Sequence, residues 1–408
     1  MKPEEHVKVV EGSRRGSLPI LLILLGTYSL AYFHRTMTGI MEPEVESLSR
    51  LYGFDSSSYL AILSSAYFYT YSLPQFLVGS LIDYYGIRKV CSALLLVNAV
   101  GSLMMASVEP VTMVVGRAII GFSVSVAFLS YQRALSLYRK QEEQARWSSL
   151  ALVVGSFSVI IATYPLRVAL DLIGLRGTLT VLALAAAVLS TSVFVTATDT
   201  VGRKTFREYL SATRTGLVRV VSDKHSWGVS IGVLATYGVG LSFQSSWGQI
   251  LLSRAFNLDK AEVSFYLMLY ALVFIPISLA SGYLSDKVFR RRKPFLLSSA
   301  IGMTISWILL ALASTSRNLL LMSLSIISLG VSLGPHIVAP VMVREAYDPS
   351  ISATSVAFMN TVLFLGVAVL NSILPQLNYF VTLEVSAVLT ALGILAVTYL
   401  CRETYTGN

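Results

Sequence analysis

The chain reads as an all-α integral membrane protein with twelve transmembrane helices in two pseudo-symmetric halves of six. Three observations predict this. Of the 408 residues, 54% are hydrophobic and only 13% charged, about half the charged share of an ordinary soluble domain, and mean hydropathy is +0.68. Apolar runs of roughly 20 residues, enough to cross about 30 Å of hydrocarbon, recur along the whole length. Finally, Gly79-Ser-Leu-Ile-Asp83-Tyr-Tyr-Gly86-Ile-Arg88-Lys89 is echoed 203 residues later by Gly282-Tyr-Leu-Ser-Asp286-Lys-Val-Phe-Arg-Arg291-Arg292. A membrane chain built from two related halves points to a secondary transporter with its site between them.

The runs fall at 18–40, 58–82, 88–107, 110–138, 146–171, 176–197, 226–252, 262–284, 292–314, 318–343, 350–372 and 379–401. Segments this long satisfy their own backbone hydrogen bonds as helices, whereas barrel strands are about 10 residues long and alternate in polarity. The first run is full length, and the residues before it lack a small-residue cleavage site, so it is expected to be a span and not a removed signal peptide. Residues 198–225 form the longest polar stretch and divide the two sixes. A partly helical cytoplasmic linker along the membrane surface is expected there. The layout is therefore a cytoplasmic tail (1–17), an N-terminal half (18–197), the linker (198–225), a C-terminal half (226–401) and a second tail (402–408).

Charge placement orients the chain. The N-terminal tail, the loops after runs 2, 4, 6, 8 and 10, and the C-terminus hold 22 of the 31 Lys and Arg residues. The other loops hold 6, and Arg35, Arg117 and Arg133 lie inside helices. Basic loops stay on the cytoplasmic side, so both termini are expected inside the cell membrane. Topology thus accounts for the net charge of +9, and no nucleic-acid partner is implied. Cys91 and Cys401, the only cysteines, sit near the inner face, where no disulfide is expected. No Gly-x4-Gly-Lys-Ser/Thr signature for ATP, metal-ligand set or nucleophile is present, so neither a cofactor nor an enzymatic activity is expected.

Two sixes, a basic central loop and the duplicated Gly-x3-Asp…Arg segment resemble the major facilitator superfamily over essentially the whole chain. The loop between helices 2 and 3 matches that family's signature at Gly79, Leu81, Asp83, Gly86, Arg88 and Lys89. The second copy keeps Gly282, Leu284, Asp286, Arg291 and Arg292, with Phe289 where the second glycine would stand. Arg117-x3-Gly121 is similar to the family's helix-4 element. Tyr32-Phe33-His34-Arg35 resembles the helix-1 segment of organic-anion and organophosphate members, which implies that Arg35 contacts substrate. Those members often carry a second arginine in helix 7, where this chain reads Tyr237-Gly238-Val239-Gly240. Helix 5 has Gly155 and Pro165 but not the compact Gly-Pro cluster of drug/proton antiporters.

Asp83 ends helix 2, where the helix dipole disfavours an anion, so Arg88 or Arg133 is expected to compensate it. The resemblance implies that this loop latches the two halves, with Asp286 and Arg291 as the weaker second latch. Ordinary charge at a membrane border is the alternative.

A charge at mid-helix costs about 3 kcal/mol or more and normally faces a cavity or a partner. Arg35 shares a helix face with Tyr28 and Tyr32. The helical rise puts Arg35 about 25 Å from the inner end of its span and Arg117 about 10 Å from the outer end of its own, so the two could meet. No Asp or Glu stands at that depth in helices 1, 4, 7 or 10. An anionic substrate group held by both arginines would relieve the cost. The alternative for Arg117 is a structural arginine bonded to helix-1 carbonyls. Arg133, sixteen residues beyond Arg117, points about 160° away, toward the latch.

Tyr67 and Tyr71 share a face of helix 2 with Ser64, and Tyr237, Gln244 and Trp247 lie in helix 7. Together with Asn360 of helix 11 they are candidate walls of a wet cavity, or ordinary belt residues. His34 and His336 are the histidines inside spans and the candidate proton sites. Helix 10 should bend at Gly334-Pro335.

These features fit a monomeric carrier moving an organic anion or other carboxylate-bearing solute by uniport, exchange or proton symport, with protons or a counter-anion as possible co-transported partners. A proton-coupled exporter of amphipathic compounds would want an acidic cavity, and this one reads as basic. A non-transporting receptor on the same fold would carry a soluble signalling segment, for which tails of about 17 and 7 residues are expected to leave no room.

Overall fold

The computed structural model describes residues 18–198 and 206–405, and they are almost wholly helical. The expected tail 1–17, the start of the linker and residues 406–408 lie outside the described residues. Among those described, ten helical stretches are long and apolar enough to cross a membrane.

In chain order, α1 (Leu18–Thr36) ends in a 3-10 turn (Gly39–Met41) and a short helix, α2 (Glu42–Tyr52). Then come α3 (Ser56–Ser72), α4 (Gln75–Tyr85), α5 (Ile87–Ala106), α6 (Pro110–Val124), α7 (Val126–Tyr138) and α8 (Gln141–Ile161). α9 (Tyr164–Thr196) is kinked at Gly174, where φ is +68°. α10 (Phe206–Val221) lies in the linker. The next span is built from α11 (Lys224–Val233), a π-turn (Leu234–Gly238), α12 (Val239–Ser242), a second π-turn (Phe243–Trp247) and α13 (Gly248–Phe256). α14 (Lys260–Tyr283) ends in a third π-turn (Leu284–Val288), and α15 (Lys293–Ser316) follows. α16 (Leu319–Leu333) and α17 (Ala339–Glu345) are joined by a 3-10 turn at Gly334–Val338, at the expected Gly-Pro bend. α18 (Pro349–Ile373) and α19 (Tyr379–Leu400) complete the chain.

Local chemistry explains several of these boundaries. Asp55 caps α3 by accepting from the Ser58 N–H, and Asp259 with Glu262 forms a reciprocal capping box at the start of α14, each satisfying amides a helix start leaves orphaned. The expected second span is broken at Leu73 and Pro74, because proline removes a backbone donor and clashes with the preceding turn. The expected fifth span stops at Ile161. Residues beyond it restart as the first part of α9, a cap over one face of the bundle.

The apolar core is one continuous cluster from Ile20 to Cys401. Leu96, Leu103, Leu184, Val188, Ile305, Leu312, Leu392 and Leu395 are half or more exposed. Their three-, four- and seven-residue spacings put them on outward helix faces, where a bilayer covers apolar surface. α3 packs along α18, and α8 and α9 pack against α14. The linker helix α10 lies against both α4 and α18 on the face that also carries Asp83, hereafter the linker face.

Candidate functional site

Arg35 stands in the last turn of α1. Its guanidinium lies over the Tyr32 ring, 3.6 Å from the centroid, and 5.4 Å from the ring centroid of Phe364 in α18. The residue is only 4% exposed, and its Nε and Nη2 have no protein partner. It lines a cleft of about 230 Å³ with Tyr28, Ala31, Tyr32, Tyr67, Tyr71, Val124, Ala127 and Phe128, a lining without a carboxylate. The Tyr28 hydroxyl donates to that of Tyr32 at 2.8 Å, and Tyr67 donates to the Ala31 carbonyl at 3.1 Å. Tyr67 and Tyr71 stack with centroids 5.9 Å apart. Tyr237 lies within electrostatic range of Arg35. Tyr237 belongs to the first π-turn and stacks on His336 at 4.5 Å. Residues far apart in sequence thus converge on one cation.

Other expected residues lie elsewhere. Arg117 is fully buried and off the cleft. Its Nη2 donates to the His34 carbonyl at 2.6 Å, and the Tyr67 ring covers it at 4.5 Å. Its Nε and Nη1 are also buried without a partner; through Nη2 it holds the backbone beside Arg35, the structural role that the sequence offered as the alternative. His34 is fully buried beside the Asn98 amide, and His336 approaches the Leu333 carbonyl through Nδ1 at 2.7 Å. Gln244 donates to the Leu267 carbonyl of α14 at 3.3 Å and does not line the cleft. Trp247 donates to Ser242 at 2.9 Å and packs on Phe243 and Trp307. The π-turn at Phe243–Trp247 re-aims Gln244, which a regular helix would have left on Tyr237's face. Asn360 is half-buried in α18.

On the linker face, Asp83 pairs with Arg133 at 3.3 Å, while Arg88 lies over Phe194 at 4.4 Å. Gly79 and Gly86 flank the pair, and Gly86 has φ +86°. In the second copy Asp286 pairs with Arg292, not with Arg291, and Arg292 also holds Glu345 at 3.1 Å. The register differs because the π-turn that follows Gly282 absorbs an extra residue. Phe289 is then helical (φ −85°) and the positive φ falls on Arg290 (+50°).

The opposite, distal face is closed by contacts between the chain before the linker and the chain after it. A Cβ on Gly39 would lie 3.1 Å from the Ser245 and Ser246 backbone. Ser64 bonds Ser246 at 2.9 Å, and Arg254 bonds Ser57 at 3.4 Å. An ion cluster that the sequence reading missed sits here. Arg167, its side chain 1% exposed, grips Glu44 and Asp171, and Asp171 in α9 pairs with Lys260 in α14 at 2.5 Å. The Arg167/Asp171 spacing of four was the available signal. Nearby, burial first and then Glu46 push the Glu42 carboxyl up to about 7, against the pull of Arg254.

The family model for the Major Facilitator Superfamily matches residues 24–402. Among solved structures, a D-xylose–proton symporter superposes with TM-score 0.74 at 14% identity, covering 96% of this chain and 99% of that one. A mutant form of the nucleoside transporter NupG gives 0.73 at 16% identity, covering 94% and 100%. A bacterial homologue of the human lysosomal transporter Spinster gives 0.68 at 13% identity, covering 93% and 94%. An uncharacterized transporter of Bacillus subtilis (strain 168), YybO, is 26% identical over 140 residues, which are 34% of this chain and 31% of that protein. The chain thus aligns with about a third of the length of that curated relative. On the match over almost its whole length, the chain belongs to the Major Facilitator Superfamily, a superfamily of membrane transporters.

Proposed function

We propose that this chain is a twelve-span carrier of two six-helix halves that moves a small organic anion across the cell membrane by alternating access. One observation carries the reading. A guanidinium almost wholly removed from water has no carboxylate beside it among the described residues, and its Nε and Nη2 are free. Those two atoms form the side edge of the guanidinium, which suits the two oxygens of one carboxylate. An unpaired charge at this depth marks a ligand site. Arg35 is then the substrate-facing cation. Arg117 is the residue that positions it, through the His34 carbonyl. The structural relatives include carriers of xylose and nucleosides, but identities of 13–16% bear on the fold alone.

In this reading Asp83–Arg133 and Asp286–Arg292–Glu345 are the latches of the linker face, which is cytoplasmic together with both termini. They set the rate of exchange between states and leave cargo choice alone. His336, stacked on Tyr237, is the candidate site for a coupled proton.

Counterflow of labelled carboxylates in proteoliposomes tests the proposal. Wild type is expected to exchange at least one anion, and Arg35→Gln to lose exchange while keeping its monodisperse elution. Anion exchange of unchanged affinity in Arg35→Gln would overturn it.

A further inference from the structure

We propose that the preferred cargo is a one-ring aromatic monocarboxylate; this rests on the anion reading above and narrows it. Three features of the cleft select that class.

The first is the number of available charges. Arg35 offers one free two-donor edge, matched to one carboxylate. Arg117 gives Nη2 to a backbone carbonyl, and although its Nε and Nη1 are unpartnered it is fully buried behind Tyr67 and lines no part of the cleft, so a second carboxylate on the ligand would be buried without a partner. The lining holds no Asp or Glu, so the ammonium of an amino acid would be unpaired too. Both costs discriminate strongly, because a buried unpaired charge is far worse than an unmade contact.

The second is the wall chemistry. Tyr28, Tyr32, Tyr67, Tyr71 and Phe128 line the cleft, and Phe364 stands across it with its ring 4.9 Å from that of Tyr71. Ala31 and Ala127 leave the ring surfaces as the walls a ligand meets. Two of the phenols are already engaged with Tyr32 and Ala31, so a polyhydroxy acid would strand several hydroxyl groups, whereas an aromatic body would meet rings on several sides.

The third is size: the cleft is small, about 230 Å³ with its open mouth included, which suits one ring and excludes extended amphiphiles.

Isothermal titration of the full-length protein in nanodiscs, with benzoate, cyclohexanecarboxylate, phthalate, phenylalanine, glucuronate and benzyl alcohol, tests the assignment. Benzoate is expected to bind best. Cyclohexanecarboxylate should be about two- to tenfold weaker, the range aromatic pairing provides. The other four should bind at least about tenfold more weakly. Arg35→Gln should abolish benzoate binding, and Tyr71→Leu should erase the preference for benzoate over cyclohexanecarboxylate. The Tyr71 variant keeps the test open should Arg35→Gln not fold. Tighter, Arg35-dependent binding of glucuronate or phthalate would overturn the aromatic assignment and leave the anion reading standing. Equal binding of benzoate and cyclohexanecarboxylate, unchanged in Tyr71→Leu, would do the same. Binding of benzyl alcohol alone, unaffected by Arg35→Gln, would remove both.

Discussion

Replacing Arg167 by alanine should be among the most destabilising single changes on the distal face. The buried side chain makes five hydrogen bonds: two to Glu44 (3.0 and 2.5 Å), two to Asp171 (3.3 and 3.0 Å) and one to the Ile40 carbonyl (3.2 Å). Asp171, 41% exposed, would rehydrate and keep Lys260, so most of the loss falls on Glu44, 19% exposed, and on the Ile40 carbonyl. Removing one partner of a buried pair costs about 3–5 kcal/mol. With Asp171 discounted, about 3 kcal/mol is expected. The Lys260–Asp171 pair is more than 40% exposed on both sides, so Lys260→Ala should cost less than about 1 kcal/mol. Equilibrium unfolding by SDS in mixed micelles, followed by tryptophan fluorescence, measures both. Arg167→Ala in a Glu44→Gln background should cost about 1.5–3 kcal/mol less, the worth of charged hydrogen bonds. If Arg167→Ala cost no more than Lys260→Ala, the cluster would be a surface ornament and the reasoning would fail.

Other changes give separate readings. Gly39→Val pushes a side chain onto the Ser245–Ser246 backbone, so spin labels at the exposed positions 51 and 320 should move apart in electron–electron resonance. The Glu42 carboxyl, at about 7 instead of 4.5, binds its proton more tightly folded than unfolded. The resulting stability, up to about 3 kcal/mol, is fully present below pH about 4.5 and is lost as pH rises through about 7. Unfolding midpoints of Glu42→Gln should lack that slope. Gly86→Ala should cost about 1–3 kcal/mol at φ +86°, while Phe289→Gly should show no relief of strain, and chemical unfolding separates the two. Asp83→Asn should lower the counterflow rate severalfold with a stability change under about 1 kcal/mol, since its pair with Arg133 is about one-third exposed.

Most span positions, and the shared faces of Tyr28 and Tyr32 with Arg35 and of Tyr67 with Tyr71, were legible, because apolar length and the 3.6-residue period are local properties of the chain. The Asp83–Arg133 pair could be read from the dipole argument, with Arg88 as the equal alternative. What escaped depends on helix irregularity or on tertiary approach. Two π-turns in one span shift Gln244 off the face that an ideal helix would give it, and no single residue type announces a π-turn. Arg167 reads as an outer-loop cation until residues 164–173 fold back over α2 and bury it. For Arg117 the sequence left two roles open, substrate contact and a bond to a helix-1 carbonyl, and depth alone could not choose the second, which the His34 carbonyl fulfils. The Asp286 partner slipped from Arg291 to Arg292 for the same reason as Gln244: one inserted residue.

The paired π-turns on either side of Val239–Ser242 give that span slack. Each holds one residue more than the α-turn it replaces, and a π-turn can migrate along a helix by exchanging one hydrogen bond at a time. Moving one turn past the short segment would rotate Val239–Ser242 by about 100° and slide it about 1.5 Å, with both helix ends fixed. The face that this short segment turns to its neighbours, Ser242 on Asn371 among them, could therefore be re-dealt, like a single card turned within a held hand, while the rest of the bundle stays in place.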